Sequence, residues 1–98
     1  TLKDFVEENA TYSADANILL IAYPAPFSDK INIIAEFDNQ TSGTIEVSNL
    51  IGQKVYSENF ANSNNIDKQL YLNNLSSGVY ILTIYTNQGV ISQTIIKE

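Results

Sequence analysis

The chain has 98 residues, no cysteine, no histidine and a formal charge of −6 at pH 7. That length suits one domain with one core, and the negative charge argues against nucleic-acid binding, because a phosphate backbone would be repelled. Without histidine or cysteine the commonest general base, the thiol nucleophile and the usual zinc ligands are missing, so we predict neither catalysis nor a cofactor.

Alternation of apolar and polar residues predicts a series of short β-strands. The first, Ile18 to Tyr23, is also the longest apolar run. Because a bilayer span needs roughly 20 such residues, no membrane insertion is expected. The stretch from Gly78 to Thr86 is apolar on both faces and predicts a central strand. In chain order the predicted strands cover residues 18–23, 30–37, 44–48, 53–60, 68–72, 78–86 and 90–96.

The glycines predict where these strands end. Gly43, Gly52, Gly78 and Gly89 fall between the predicted strands, and a residue that can adopt positive φ closes a tight turn. The segment 87–89 predicts a hairpin loop, so the last two strands are predicted to pair. About seven short strands without an intervening helix predict an all-β, immunoglobulin-like antiparallel β-sandwich.

The sandwich is predicted to occupy residues 18–98, and residues 1–17 are predicted to be a linker or the tail of a preceding domain. Within that linker Leu2, Phe5 and Val6 have helical spacing, but the segment is too short to form a stable helix alone. The polar, small-residue stretch from Glu8 to Asn17 is where a peptidase could cut an exposed linker.

Two binding functions remain open on the sequence alone. Asp29 and Asp38 flank one predicted strand, and they could share a calcium ion only if both ends of that strand came together. Tyr56, Tyr71 and Tyr85 could form an exposed row for stacking on sugars, although tyrosines in strands more commonly pack at the rim of a sandwich. A carbohydrate-binding or spacer module appended to a secreted enzyme is therefore the alternative reading.

Three motifs occur in order along the chain: YPAPFSD at residues 23–29, VSNLIGQKV at residues 47–55 and LSSGVY at residues 75–80. Together with the ending IIKE, they resemble the C-terminal sorting domain of type IX (Por) secretion cargo in Bacteroidetes-type Gram-negative bacteria, type A, from residue 18 to residue 98. Two positions depart from the family pattern. Ala25 stands where the family commonly has asparagine, and Gln93-Thr94 stands where it commonly has lysine.

The resemblance implies a non-catalytic sorting signal that forms part of a larger cargo protein. Its implied partners are the type IX translocon and the outer-membrane shuttle protein. A sortase-like peptidase would then cleave the domain and exchange it for a cell-surface anchor. The implied location is the periplasm in transit, followed by the cell surface or the extracellular medium.

The resemblance also implies a set of recognition residues. The two prolines of the first motif are expected to end the first strand, and the phenylalanine after them to plug one end of the sandwich. The last residues are expected to lie on an edge strand whose unpaired backbone groups the translocon could bind by strand addition. The implied residues are Pro24, Pro26, Phe27, Gly52, Gly78, Tyr80, Ile95, Ile96 and Lys97.

Overall fold

The structure, a computed structural model, describes residues 10–98, in which every regular element is a β-strand. No helix in this part of the chain is long and apolar enough to cross a membrane. The helical spacing of Leu2, Phe5 and Val6 lies outside the described residues. The strands are β1 (Ala10–Ser13), β2 (Ile18–Tyr23), β3 (Lys30–Asn49), β4 (Lys54–Tyr71), β5 (Gly78–Thr86) and β6 (Gly89–Lys97).

Strands β3 and β4 are long enough to belong to both layers of a sandwich. They pair with each other along most of their length, while the first half of β3 also pairs with β2 and its second half pairs with β5. One layer is therefore β1, β2, the first half of β3 and the second half of β4. The other layer is the first half of β4, the second half of β3, β5 and β6. All these pairs are antiparallel, so the predicted all-β sandwich is confirmed.

The predicted strand count was wrong, because four predicted strands are halves of two continuous ones and β1 was not among the predicted strands. Residues 30–37 and 44–48 both belong to β3, and residues 53–60 and 68–72 both belong to β4, which ends at Tyr71. The mainly polar residues at the bend of each long strand interrupt the alternation. The ladder between β3 and β4 shifts register there, as expected where a strand bends between layers.

Gly43 lies inside β3 and not at a strand boundary, contrary to the prediction. A Cβ built on it would lie 1.9 Å from the backbone oxygen of Tyr85. The glycine is therefore needed because β5 approaches β3 closely at the bend. The predicted pairing of the last two strands is confirmed, and their loop is stabilised by the Thr86 hydroxyl, which accepts hydrogen bonds from the amides of Gln88 and Gly89 at 3.0 Å.

The core lies between the two layers. Alternate residues of β2, β3, β5 and β6 point inward and are buried, as the period-2 pattern predicts. In β4 the buried residues are Ile66 and Leu70, both in its second half. The largest fully buried apolar side chains are Ile18, Leu20, Ile31, Ile33, Ile45, Val47, Leu70, Leu82, Ile84 and Phe27.

Strand β1 lies in the segment that the sequence assigned to a linker. It pairs with β2 from Ala10 opposite Ile21 to Ser13 opposite Ile18. The hydroxyl of Thr11 donates to the side-chain oxygen of Gln93 on β6 at 2.9 Å, so β1 also reaches the other layer. Its four residues, ATYS, carry too little alternation to predict a strand.

Candidate recognition surface

The connecting segments that carry the three motifs meet at one end of the sandwich. Strand β3 starts at this end in one layer, bends at the far end and returns in the other layer, so the start of β5 and the end of β6 also lie here. We call this region the motif end. It consists of residues 24–29, 49–53, 72–80 and 95–98.

Phe27 joins the two layers at the motif end. Its ring is the largest fully buried side chain of the described residues, which confirms that it plugs the sandwich. Its amide donates to the carbonyl oxygen of Ile96 at 2.9 Å, and its own carbonyl oxygen accepts from the amide of Glu98 at 2.9 Å. Phe27 thereby forms a parallel bridge with Lys97 and fixes the last residues of β6.

The end of β6 does not have the unpaired backbone groups that the sequence suggested. Phe27 already binds the carbonyl of Ile96 and the amide of Glu98, and the side chain of Ile95 is buried between the layers. Strand addition at residues 95–98 would have to displace Phe27. The sequence could not reveal this contact, because Phe27 and Glu98 are far apart along the chain.

The two prolines before Phe27 are exposed. Strand β2 ends at Tyr23, directly before Pro24, as the prolines predict. The peptide bonds preceding Pro24 and Pro26 are both cis. These residues place an exposed, proline-rich segment beside the end of β6.

Asn49 builds the turn between β3 and β4. Its carbonyl oxygen accepts from the amide of Gly52 at 3.1 Å, and its amide donates to the carbonyl of Gln53 at 3.0 Å. Its side-chain oxygen accepts from the amides of Ile51 at 3.2 Å and Gln53 at 2.9 Å, while its side-chain nitrogen donates to the Gln53 side chain at 2.9 Å. Gly52 adopts a φ of 88°, where a side chain would be strained. Leu50 and Ile51 occupy the tip.

The third motif is tied to the first by backbone bonds. The amide of Leu72 donates to the carbonyl of Asp29 at 2.9 Å, and the amide of Leu75 donates to the carbonyl of Leu72 at 3.1 Å. The hydroxyl of Tyr80 donates to the carbonyl of Ser76 at 2.7 Å, while its ring is buried. Tyr80 therefore fixes the segment that leads into β5.

The structure places all the sequence-predicted recognition residues at the motif end. Gly78 is the register partner of Lys97, and Tyr80 is the partner of both Ile95 and Asn49. Sequence reasoning missed Asn49, although asparagine at the first and glycine at the fourth position are the residues that a type I turn favours. The predicted residues found there are Pro24, Pro26, Phe27, Gly52, Gly78, Tyr80, Ile95, Ile96 and Lys97.

Two ion pairs lie outside these residues, one between β3 and β4 and one within β4. Lys54 Nζ lies 3.0 Å from Glu46 Oε1, and Lys68 pairs with Glu58. The hydrogen bond from Lys68 lowers the pKa of Glu58, and the same bond raises the pKa of Lys68. Burial and the neighbouring Glu58 raise the pKa of Tyr56, whose hydroxyl donates to Glu58 at 3.2 Å. Tyr56 is thus part of the sandwich packing.

The arrangement of the tyrosines does not support a sugar-stacking row. Tyr56 packs against the core. Tyr71 is 66% exposed in the layer of β2, and Tyr85 is 45% exposed in the layer of β6. Rings in different layers cannot stack together on one sugar chain.

A shared calcium site at Asp29 and Asp38 is also incompatible with the fold. The two carboxylates lie at opposite ends of the first half of β3, about 30 Å apart along an extended strand. Residues 10–98 contain no cluster of three or more Asp or Glu side chains that could hold a metal ion.

The fold is a small β-sandwich whose motif residues lie in the loops and strand ends of one end. The profile of the secretion system C-terminal sorting domain family matches residues 21–98. The chain therefore belongs to this family of type IX (Por) secretion domains, which are sorting signals and not enzymes. The resemblance read from the three motifs is confirmed. Comparisons with curated proteins and with solved structures found no match.

Proposed function

We propose that the outer-membrane translocon and its shuttle protein bind this domain after it has folded in the periplasm, and so export the larger cargo protein that carries it. The observation that carries the proposal is the family match over residues 21–98, which includes every segment of the motif end. Loops held by a rigid scaffold are the usual place for binding residues. In this proposal the domain is a substrate of the export machinery and performs no catalysis.

The folded motif end is the surface that we expect the machinery to contact. Phe27, Tyr80 and Ile95 are buried there, so their role is to hold the loops in place. Pro24, Pro26 and Ile96 are exposed, and they are available for direct contact. Recognition therefore depends on the folded domain and not on the terminal sequence alone.

Titration of the purified shuttle protein with the purified chain tests this proposal. Ile96→Asp should weaken saturable binding at least tenfold, because it places a charge in the contact. Val90→Asp is the matched control, since Val90 lies on the same strand at the far end and is 51% exposed against 47% for Ile96. Equal effects of the two substitutions, with the fold intact in both, would place recognition elsewhere.

We further propose that a sortase-like peptidase cuts the chain before β2, after which the cargo receives a cell-surface anchor. Within the stretch 8–17, residues 10–13 form β1. Ala14 and Asp15 are exposed between β1 and β2, whereas Ala16 is buried. Exposed loop tips are the preferred sites of proteolysis, so the cut is expected at these two residues.

Mass spectrometry of the exported cargo tests the cleavage. The expected product ends at Ala14 or Asp15 and carries the mass of an anchor. A surface product that still contains residues 23–98 would contradict the proposal.

A further inference from the structure

The turn between β3 and β4 presents two apolar side chains to solvent. Ile51 is 80% and Leu50 is 68% exposed, the highest values among the large apolar residues of the described chain. Single exposed apolar residues are common on protein surfaces. Two adjacent ones at the tip of a turn are less ordinary, because turns favour Gly, Asn, Asp, Ser and Pro.

The turn does not need these two side chains. Its hydrogen bonds come from Asn49, Gly52, Gln53 and the backbone amide of Ile51. A polar residue at either tip position would keep all of them. Leu50 and Ile51 are thus unusual residues for a turn, and their side chains form none of its hydrogen bonds. Residues that break a local rule without stabilising the fold are expected at functional sites.

The backbone of the turn is also held in place by hydrogen bonds. Asn49 alone takes part in five hydrogen bonds across it. A backbone that is already held in its bound conformation loses less conformational entropy on binding, so this turn favours affinity. Apolar residues buried in a partner's pocket commonly supply most of the energy of an interface.

The apolar tip belongs to the motif end. On the adjoining strands, Val79 and Ile96 form an exposed cross-strand pair at the same end. Residues 49–53 contain no charged side chain. A protein partner with an apolar pocket is therefore the complementary surface, while the chain's charge of −6 disfavours an anionic lipid surface.

We infer that Leu50 and Ile51 together form the anchor by which the domain docks into an apolar pocket on a protein of the export machinery. This inference rests on the proposed sorting function and assigns the contact to two residues of the motif end.

The test uses the full chain fused behind an export signal and a fluorescent reporter, in a bacterium with an intact type IX system. The double variant Leu50→Ser/Ile51→Ser should reduce the rate of export at least tenfold. The matched control is Tyr85→Ser/Val90→Ser, which removes an exposed apolar cross-strand pair at the far end. The control should be exported at the parent rate.

Thermal unfolding of the purified domains separates folding from recognition. Both double variants should remain folded, because all four side chains are exposed; Ile51→Ser alone is the second variant if the double variant does not fold. Asn49→Ala keeps the apolar tip but loosens the turn, and it should give an intermediate rate of export.

The possible outcomes distinguish the anchor role of Leu50 and Ile51 from the sorting function on which it rests. Export of the parent reporter together with equal export of a folded Leu50→Ser/Ile51→Ser variant would overturn the anchor and leave the sorting function standing. Failure of the parent reporter to leave the periplasm would overturn both. Binding of the purified parent chain to phosphatidylcholine vesicles, or its dimerisation, would also overturn the inference if the double variant abolished it.

Discussion

Replacing Phe27 with alanine should be among the most destabilising single changes in this domain. The ring is fully buried and closes the motif end between the two layers. Its removal takes away about 150 Å² of apolar burial, which at about 25 cal/mol per Å² corresponds to about 4 kcal/mol. Measured Phe→Ala substitutions in protein cores cost about 3–5 kcal/mol. The same loss corresponds to a fall in Tm of about 15–30 °C in a domain of this size.

Urea unfolding followed by far-UV circular dichroism is the suitable assay, because the chain contains no tryptophan. Tyr71→Ala is the matched control, since it removes an aromatic ring that is 66% exposed. The control should lose less than about 1 kcal/mol, as expected for a surface position. A loss for Phe27→Ala no larger than that of the control would refute the role assigned to the ring.

The backbone bonds of residue 27 can be tested separately from its ring. Alanine keeps both the amide and the carbonyl that bind Ile96 and Glu98. In the parent domain the amide of Glu98 should exchange slowly with solvent, although it is the last residue of the chain. Rapid exchange at Glu98 in the folded parent would contradict the bridge between Phe27 and the end of β6.

Three further predictions concern the bend, an ion pair and the last strand. Gly43→Ala should lower the urea midpoint by the equivalent of at least about 2 kcal/mol, because its Cβ would meet the backbone of β5; an unchanged midpoint would show that β3 and β5 can separate. Lys68→Gln should cost about 0.2–1 kcal/mol at pH 7, since both partners are about one third exposed. That difference in unfolding free energy should vanish as the pH falls from the usual glutamate pKa of 4.5 through the lowered pKa of Glu58, because the pair stabilises the fold only while the carboxyl is ionised. A constant difference down to pH 3 would contradict the pairing. Ile95→Ala should cost about 2–5 kcal/mol and Ile96→Ala less than about 1 kcal/mol in the same urea assay, because only Ile95 is buried; the reverse order would contradict the orientation of β6.

Much of the fold could be predicted from period-2 patterning, because each inward-facing residue reports its own burial. The stretch from Ile18 to Tyr23 and the apolar run from Gly78 became β2 and β5 with the predicted limits. The continuity of β3 and β4 could not be predicted, since the polar residues at their bends look like turns. The role of Gly43 could not be predicted either, because the close approach of β5 leaves no trace in the residues next to Gly43 along the chain.

The location of the motif end depends on contacts between distant residues. The motifs indicated which residues matter, but only the antiparallel pairing of β3 with β5 places Asn49, the first residue of the turn, opposite Tyr80. The bonds of Phe27 to the end of β6 and the three side-chain bonds of Asn49 are likewise invisible in a linear pattern. The turn chemistry of asparagine and glycine was the one local signal that could have identified Asn49.

The most direct test of the sorting function is the export of a reporter fused to the full chain behind an export signal. Cell-surface and medium fluorescence would be compared between a bacterium with an intact type IX system and one with a disrupted translocon. The sorting function predicts signal outside the periplasm only in the intact strain. Equal retention of the folded reporter in the periplasm of both strains would contradict it.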